Sequence, residues 1–217
     1  MAEKGFSEAY TKAEAFGDKD PRYGTTLYRW GATDEKLNRL QEAETHLKKA
    51  QSALLLSKGP ASIEKIRCDT RLANIYIKQG RLSEAEYILR KCVAVTSGQT
   101  PTAMLGQDIV GDVRFVQNLL AYPDQIPGSL DSANVLYTYG RMLQAQGNTD
   151  FAAKLYKRVL DMFNTPTNLD ATRIFQDPFE GRPDLNSIRQ SLLSIYQKQG
   201  NSSEADKLLK EIQADTP

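Results

Sequence analysis

With one histidine, two cysteines and one tryptophan in 217 residues, the chain has little material for the usual catalytic and metal chemistry. The histidine, His46, has neither a nucleophile nor a partner carboxylate beside it in sequence, so it reads as a solvent-exposed helical residue. One His and two Cys would need carboxylates to complete a zinc site, and no ligand spacing points to one. Cys68 and Cys92 support at most one bridge and no disulfide framework. Cys92 stands at a position where Cys acts as a small core hydrophobe. Glycine-rich phosphate loops are missing. No cofactor or metal site is therefore expected, and a cryptic enzyme is only a remote alternative.

Long apolar runs are also absent. Ala53-Leu54-Leu55-Leu56 is as long as any, far short of the roughly 20 residues of a membrane helix. Residues Met1 to Phe6 show no apolar leader. A soluble, cytoplasmic protein is expected, or an exported one if a leader has been removed. Charge of one sign is missing too. Lys plus Arg total 28 against 27 Asp plus Glu, which argues against broad electrostatic capture of nucleic acid. An apolar content of 40% is lean for a compact globule and suits an elongated array whose units touch only their neighbours.

What is present is a repeat. Arg71-Leu72-Ala73-Asn74-Ile75-Tyr76-Ile77-Lys78-Gln79-Gly80 aligns without gaps with Tyr139-Gly140-Arg141-Met142-Leu143-Gln144-Ala145-Gln146-Gly147 and with Leu192-Leu193-Ser194-Ile195-Tyr196-Gln197-Lys198-Gln199-Gly200. Each is followed, five residues after its Gly, by Ala85, Ala152 or Ala205. A fourth, weaker copy lies upstream: Leu27, Trp30 and Gly31, then Asn38 at the Gly position, then Ala43 and Leu47. Asp34 stands there where an aromatic residue belongs and puts the packing of that copy in question.

The spacing of apolar residues at i, i+3/i+4 and i+7 makes one buried helical stripe. Gly, or Asn38, ends the first helix in a left-handed conformation. Ser83, Asp150 and Ser203 stand where a short oxygen-bearing side chain caps the second helix. The alanines are small because two helix axes approach closely there. The turn residues recur at 38, 80, 147 and 200, spacings of 42, 67 and 53 against the usual period of about 34. The surplus falls between hairpins. In the first insert, Ile109, Val113, Val116 and Leu120 predict an extra helix over Asp108 to Leu120, bounded by Gly106 and Pro123. The second insert is rich in Pro, Asn and Asp around Ile174, Phe175 and Phe179, and reads as a packed connector or a ligand-facing flap.

This pattern resembles the tetratricopeptide repeat family. The segment Ala15 to Tyr23, and Gly181-Arg182-Pro183-Asp184, are similar to linkers of its longer, kinesin-light-chain-like variety. The resemblance implies an all-α, right-handed solenoid of about four hairpins forming one domain over 1–217. Repeats fall near 24–57, 66–99, 133–166 and 186–217, with a leading half-repeat at 5–17 and inserts at 97–131 and 164–186. It also implies a non-catalytic scaffold that holds a protein or peptide partner in a concave groove lined by first helices. The groove residues it implies are Tyr28 and Arg29 in the first copy and Arg67, Thr70, Arg71, Asn74 and Lys78 in the second. The third copy adds Asn134, Tyr137 and Arg141, and the fourth Gln190, Ser194 and Lys198. The set is basic and amide-rich, which suits a partner of acidic character. Any one of these side chains, taken singly, is more often merely a solvated helix face. Tyr28 and Ala32 stand where the two-carboxylate clamp of chaperone-tail receptors has Lys and Asn, which argues against that role. No nucleic acid or membrane insertion is expected. A self-associating structural subunit, docking through the first insert, is the alternative.

Overall fold

The computed structural model describes residues 2–98, 113–164 and 183–214, and the described residues form an all-helical structure. α1 (Ala2–Glu14) precedes two hairpins, α2 (Pro21–Lys36) with α3 (Leu40–Lys58) and α4 (Ile63–Lys78) with α5 (Leu82–Thr96). The single helix α6 (Val113–Ala121) follows. Two further hairpins are α7 (Leu130–Ala145) with α8 (Thr149–Asn164) and α9 (Leu185–Lys198) with α10 (Ser202–Ala214). Each hairpin packs on the next, and one apolar core runs from Leu27 to Leu208. The chain is a helical-repeat solenoid.

The same hydrogen bonds close all four hairpins. Arg39, Arg81, Asn148 and Asn201 donate their backbone N–H to the carbonyls of Asp34, Tyr76, Leu143 and Tyr196, at 2.8–2.9 Å. The N–H groups of Asn38, Gly80, Gly147 and Gly200 bond to Glu35, Ile77, Gln144 and Gln197. This is the Schellman pair, and it needs a positive φ at the turn residue. Asn38 adopts φ 58° without being glycine. Asn38→Gly should therefore raise stability by somewhat under about 1 kcal/mol, readable as a higher urea midpoint.

Capping differs from the sequence expectation. The first helices are capped by side chains: Asp20 accepts from Arg22 N, Ser62 from Lys65 N, Ser129 from Ser132 N and Asp184 from Asn186 N. The second helices start earlier than Ser83, Asp150 and Ser203 imply. α5 begins at Leu82, and its N-cap Arg81 makes no side-chain cap. The turn residue that closes one helix also opens the next, since Ala43, Ala85, Ala152 and Ala205 donate their N–H to Arg39, Arg81, Asn148 and Asn201. That double use leaves no room for a capping residue further on.

Close approach is set by small residues. A Cβ on Gly31 would lie 2.7 Å from Leu47 Cγ and 3.2 Å from the Ala43 carbonyl oxygen. A Cβ on Gly140 would lie 2.6 Å from the Tyr156 ring, which is fully buried and fixed by its hydroxyl donating to Gln144 Oε1 at 2.8 Å. Helix propensity alone predicts that Gly140→Ala gains about 1 kcal/mol. The contact predicts a loss of about 1–3 kcal/mol instead. The sign of the urea-midpoint shift decides between them.

The two cysteines are buried and free. Cys68 Sγ donates to the Leu47 carbonyl at 3.3 Å, and burial raises both thiols well above their ordinary range. His46 corrects the sequence reading, because it is part-buried rather than solvated. Its ring stacks on Trp30 at 4.1 Å, and its Nδ1 lies 2.8 Å from Asp34 Oδ2. Phe6 and Tyr10 of α1 lie against the same Trp30, at 6.3 and 5.7 Å between ring centroids. The extra helix of the first insert is described from Val113 to Ala121, and Val116, Leu119 and Leu120 enter the core. The part of that reading on Gly106, Asp108 and Ile109, and the Ile174, Phe175 and Phe179 segment, lie outside the described residues.

Candidate functional site

The first helices of three successive hairpins, α2, α4 and α7, line one open cavity of about 240 Å³. That is below the roughly 300–1,000 Å³ of small-molecule sites, and the cavity is open to solvent. Eight residues expected from the sequence meet there: Tyr28, Arg67, Thr70, Arg71, Asn74, Asn134, Tyr137 and Arg141. Five do not line it. Arg29 is exposed on α2, Lys78 sits at the end of α4, and Gln190, Ser194 and Lys198 belong to α9. Tyr28 is less available than an outward-turned residue should be, being only 8% exposed.

The charge is where sequence reasoning fell short. Glu35, Asp131 and Asp184 also line the cavity. Glu35 is almost fully buried and is held from three sides. Arg71 donates to its Oε2 at 2.7 Å, Lys78 to its Oε1 at 2.8 Å, and Asn74 Nδ2 also donates to Oε1. Burial by itself would raise this carboxyl, but the Arg71 charge and the Lys78 hydrogen bond and charge outweigh it, leaving it below its ordinary 4.5. Arg67 makes a two-point contact with Asp131, at 2.6 and 3.3 Å. Asp184 is engaged as the α9 cap and accepts from Ser187 Oγ at 2.6 Å. The four basic residues expected to make a basic face are thus largely matched by carboxylates from neighbouring hairpins. Asp131 was findable, since it lies three residues before Asn134 on one helical stripe. Glu35 carried no such signal, because Ile77, Gln144 and Gln197 occupy its position in the other copies.

Side-chain bonds across the groove tie three hairpins together. Arg141 donates to Asn74 Oδ1, so the chain Lys78/Arg71–Glu35–Asn74–Arg141 runs from α2 through α4 to α7. Among the described residues no cluster of three or more His, Cys, Asp or Glu is placed to hold a metal ion. No described helix is long and apolar enough to cross a membrane.

A profile of the tetratricopeptide repeat family matches residues 22–97. Residues 22–97 carry tetratricopeptide repeats. The match spans α2 to α5, and the α7–α8 and α9–α10 hairpins close with the same Schellman bonds and the same alanines. No curated protein matches the chain. Tetratricopeptide repeats are protein–protein interaction modules, which gives the array a scaffold role.

Proposed function

We propose that the chain is a non-catalytic docking scaffold that receives a peptide segment of a protein partner along the groove of α2, α4 and α7. The observation that carries this is the convergence of side chains from three hairpins on one solvent-open cavity. The four hairpins support treating 1–217 as a single array of the longer, kinesin-light-chain-like kind. Tyr137 is the anchor: half-buried, flat, and bordered by Arg141 at 5.9 Å from its ring centroid.

The test is selection of binding peptides from a random display library on the immobilised protein, followed by titration against variants. Tyr137→Ala should weaken the selected peptides by about 30-fold, the scale of an interface hot spot. Peptides that bind the Tyr137→Ala and Arg141→Gln proteins as tightly as wild type would place docking on another face. Arg71→Glu is unsuitable here, because it would set a second carboxylate against Glu35 and damage the fold itself.

A further inference from the structure

Resting on the groove reading, we propose that the groove recognises one anion of its partner, at Arg141, and that Asn134 and Tyr137 hydrogen-bond the peptide next to that anion. The argument is an accounting of which polar groups are already used. On α4, Arg67 is held by Asp131 and Arg71 by Glu35, while both ends of the Asn74 amide are engaged, by Glu35 and Arg141. On α7 the situation is the reverse. Among the described residues lining the cavity, Arg141 is the one cation with no carboxylate partner; it has only Asn74 and the Tyr137 ring. The Asn134 side-chain amide and the Tyr137 hydroxyl make no hydrogen bond among the described residues, although both border the cavity.

An incoming carboxylate at Arg67 or Arg71 would exchange one ion pair for another. It would also compete with an internal carboxylate whose effective concentration is about millimolar or higher, so little is gained. At Arg141 a new charge-assisted bond forms without displacing a carboxylate of any described residue. Asn134, Tyr137 and Arg141 lie at i, i+3 and i+7 on one face of α7 and span about 10 Å. That matches roughly three residues of extended chain. A single carboxylate at Arg141 thus sets the register, and Tyr137 and Asn134 meet the two or three residues beside it. A run of acidic residues gains nothing further, because the remaining cations are occupied. The anion can be an Asp or Glu side chain or a chain terminus, which share the same carboxylate.

Four acetylated probes separate these cases: pentaglycine amide, pentaglycine with a free C-terminus, tetraglycine-Asp amide and pentaglutamate amide. Each is titrated into the full chain while the arginine Nε–H and asparagine side-chain amide signals are followed by NMR. A single-carboxylate probe should give saturating shifts at Arg141 and Asn134, about tenfold or more tighter than pentaglycine amide. Whichever of the free terminus and the Asp side chain binds more tightly identifies the source of the anion. Arg141→Gln should lose about tenfold, and Asn134→Ala, which removes no charge and no side-chain bond to a described residue, should lose a smaller factor. Pentaglutamate should stay within about threefold of the better single-carboxylate probe at physiological ionic strength. Pentaglutamate binding more than about tenfold tighter, with shifts at Arg67 and Arg71, would overturn the single-anion assignment and leave the groove standing. That assignment also fails, with the groove intact, if groove shifts survive Arg141→Gln or if no probe moves Arg141 and Asn134. Saturating shifts confined to another surface, such as the cleft between α8 and α10, would overturn the groove reading itself.

Discussion

Glu35→Ala should lower the stability of the chain by about 3 kcal/mol, because it leaves the buried Arg71 guanidinium without its counter-charge. Arg71 keeps only 17% of its side chain exposed, and Glu35 only 7%, so water cannot replace the lost partner in place. The same change strips Asn74 Nδ2 and Lys78 Nζ of an acceptor and so loosens α2 from α4. At this chain length the loss corresponds to roughly 8 °C in melting temperature. Lys78→Ala is the internal contrast. Lys78 is one-third exposed, so solvent screens its pairing, and the expected cost is below about 1 kcal/mol. A Glu35→Ala protein that melts within a degree or so of wild type would mean the hub contributes nothing to holding the hairpins together.

The same carboxylate predicts the acid limb. Its folded-state pKa lies below the ordinary 4.5, so its stabilisation is complete above that value and is lost as pH falls through the lower folded value. Glu44 behaves alike. Burial opposes its ionisation, but hydrogen bonds from Lys48, Arg81 and Gln79 hold it at about 2. Wild type should therefore lose stability as pH falls below about 4.5, with the Glu44 contribution lost towards about 2, and the gap between wild type and Glu35→Gln should narrow as pH falls below about 4.5. A gap of constant size from neutral to acid pH would remove the charge of Glu35 from the account.

Much of this fold could be read from local chemistry. The turn residues, the alanines and the 3.6-residue stripes act within one hairpin, where partners are near in sequence, so the helix pairs and their small-residue contacts were legible. Groove membership was legible for eight residues because a first helix repeats its outward positions. The pairing of those residues was not. Glu35 lies 36 residues from Arg71 and Asp131 lies 64 from Arg67, and no periodicity links them. The groove's net charge depends on those cross-hairpin pairs, so a basic inventory on α4 became a nearly neutral surface. The cap positions failed for a different reason, since one turn residue serves two helices at once.

Asp34 shows how a departure from the repeat pattern is compensated inside a single hairpin. Its equivalents are Tyr76, Leu143 and Tyr196, and those of His46 are Ile88, Leu155 and Leu208. In the other hairpins both positions are apolar and buried. In the first, Asp34 is only 3% exposed and is met by His46 at 2.8 Å, so one polar pair replaces one apolar pair. His46→Leu alone should cost about 1–3 kcal/mol, because a buried carboxyl loses its partner. Asp34→Leu alone should cost less than that, since the part-buried imidazole can turn its ring nitrogen towards water. Asp34→Leu combined with His46→Leu reproduces the Leu143 and Leu155 pair, and replacing a buried polar pair by packed apolar groups is neutral or stabilising by about 1–4 kcal/mol. The two substitutions should therefore be strongly non-additive, with a coupling of about 2 kcal/mol in a double-mutant cycle from urea unfolding. Trp30 is the single tryptophan and stacks on His46, so its fluorescence reports the same site directly. A double variant as unstable as the sum of its singles would show that Asp34 and His46 do not act as a pair.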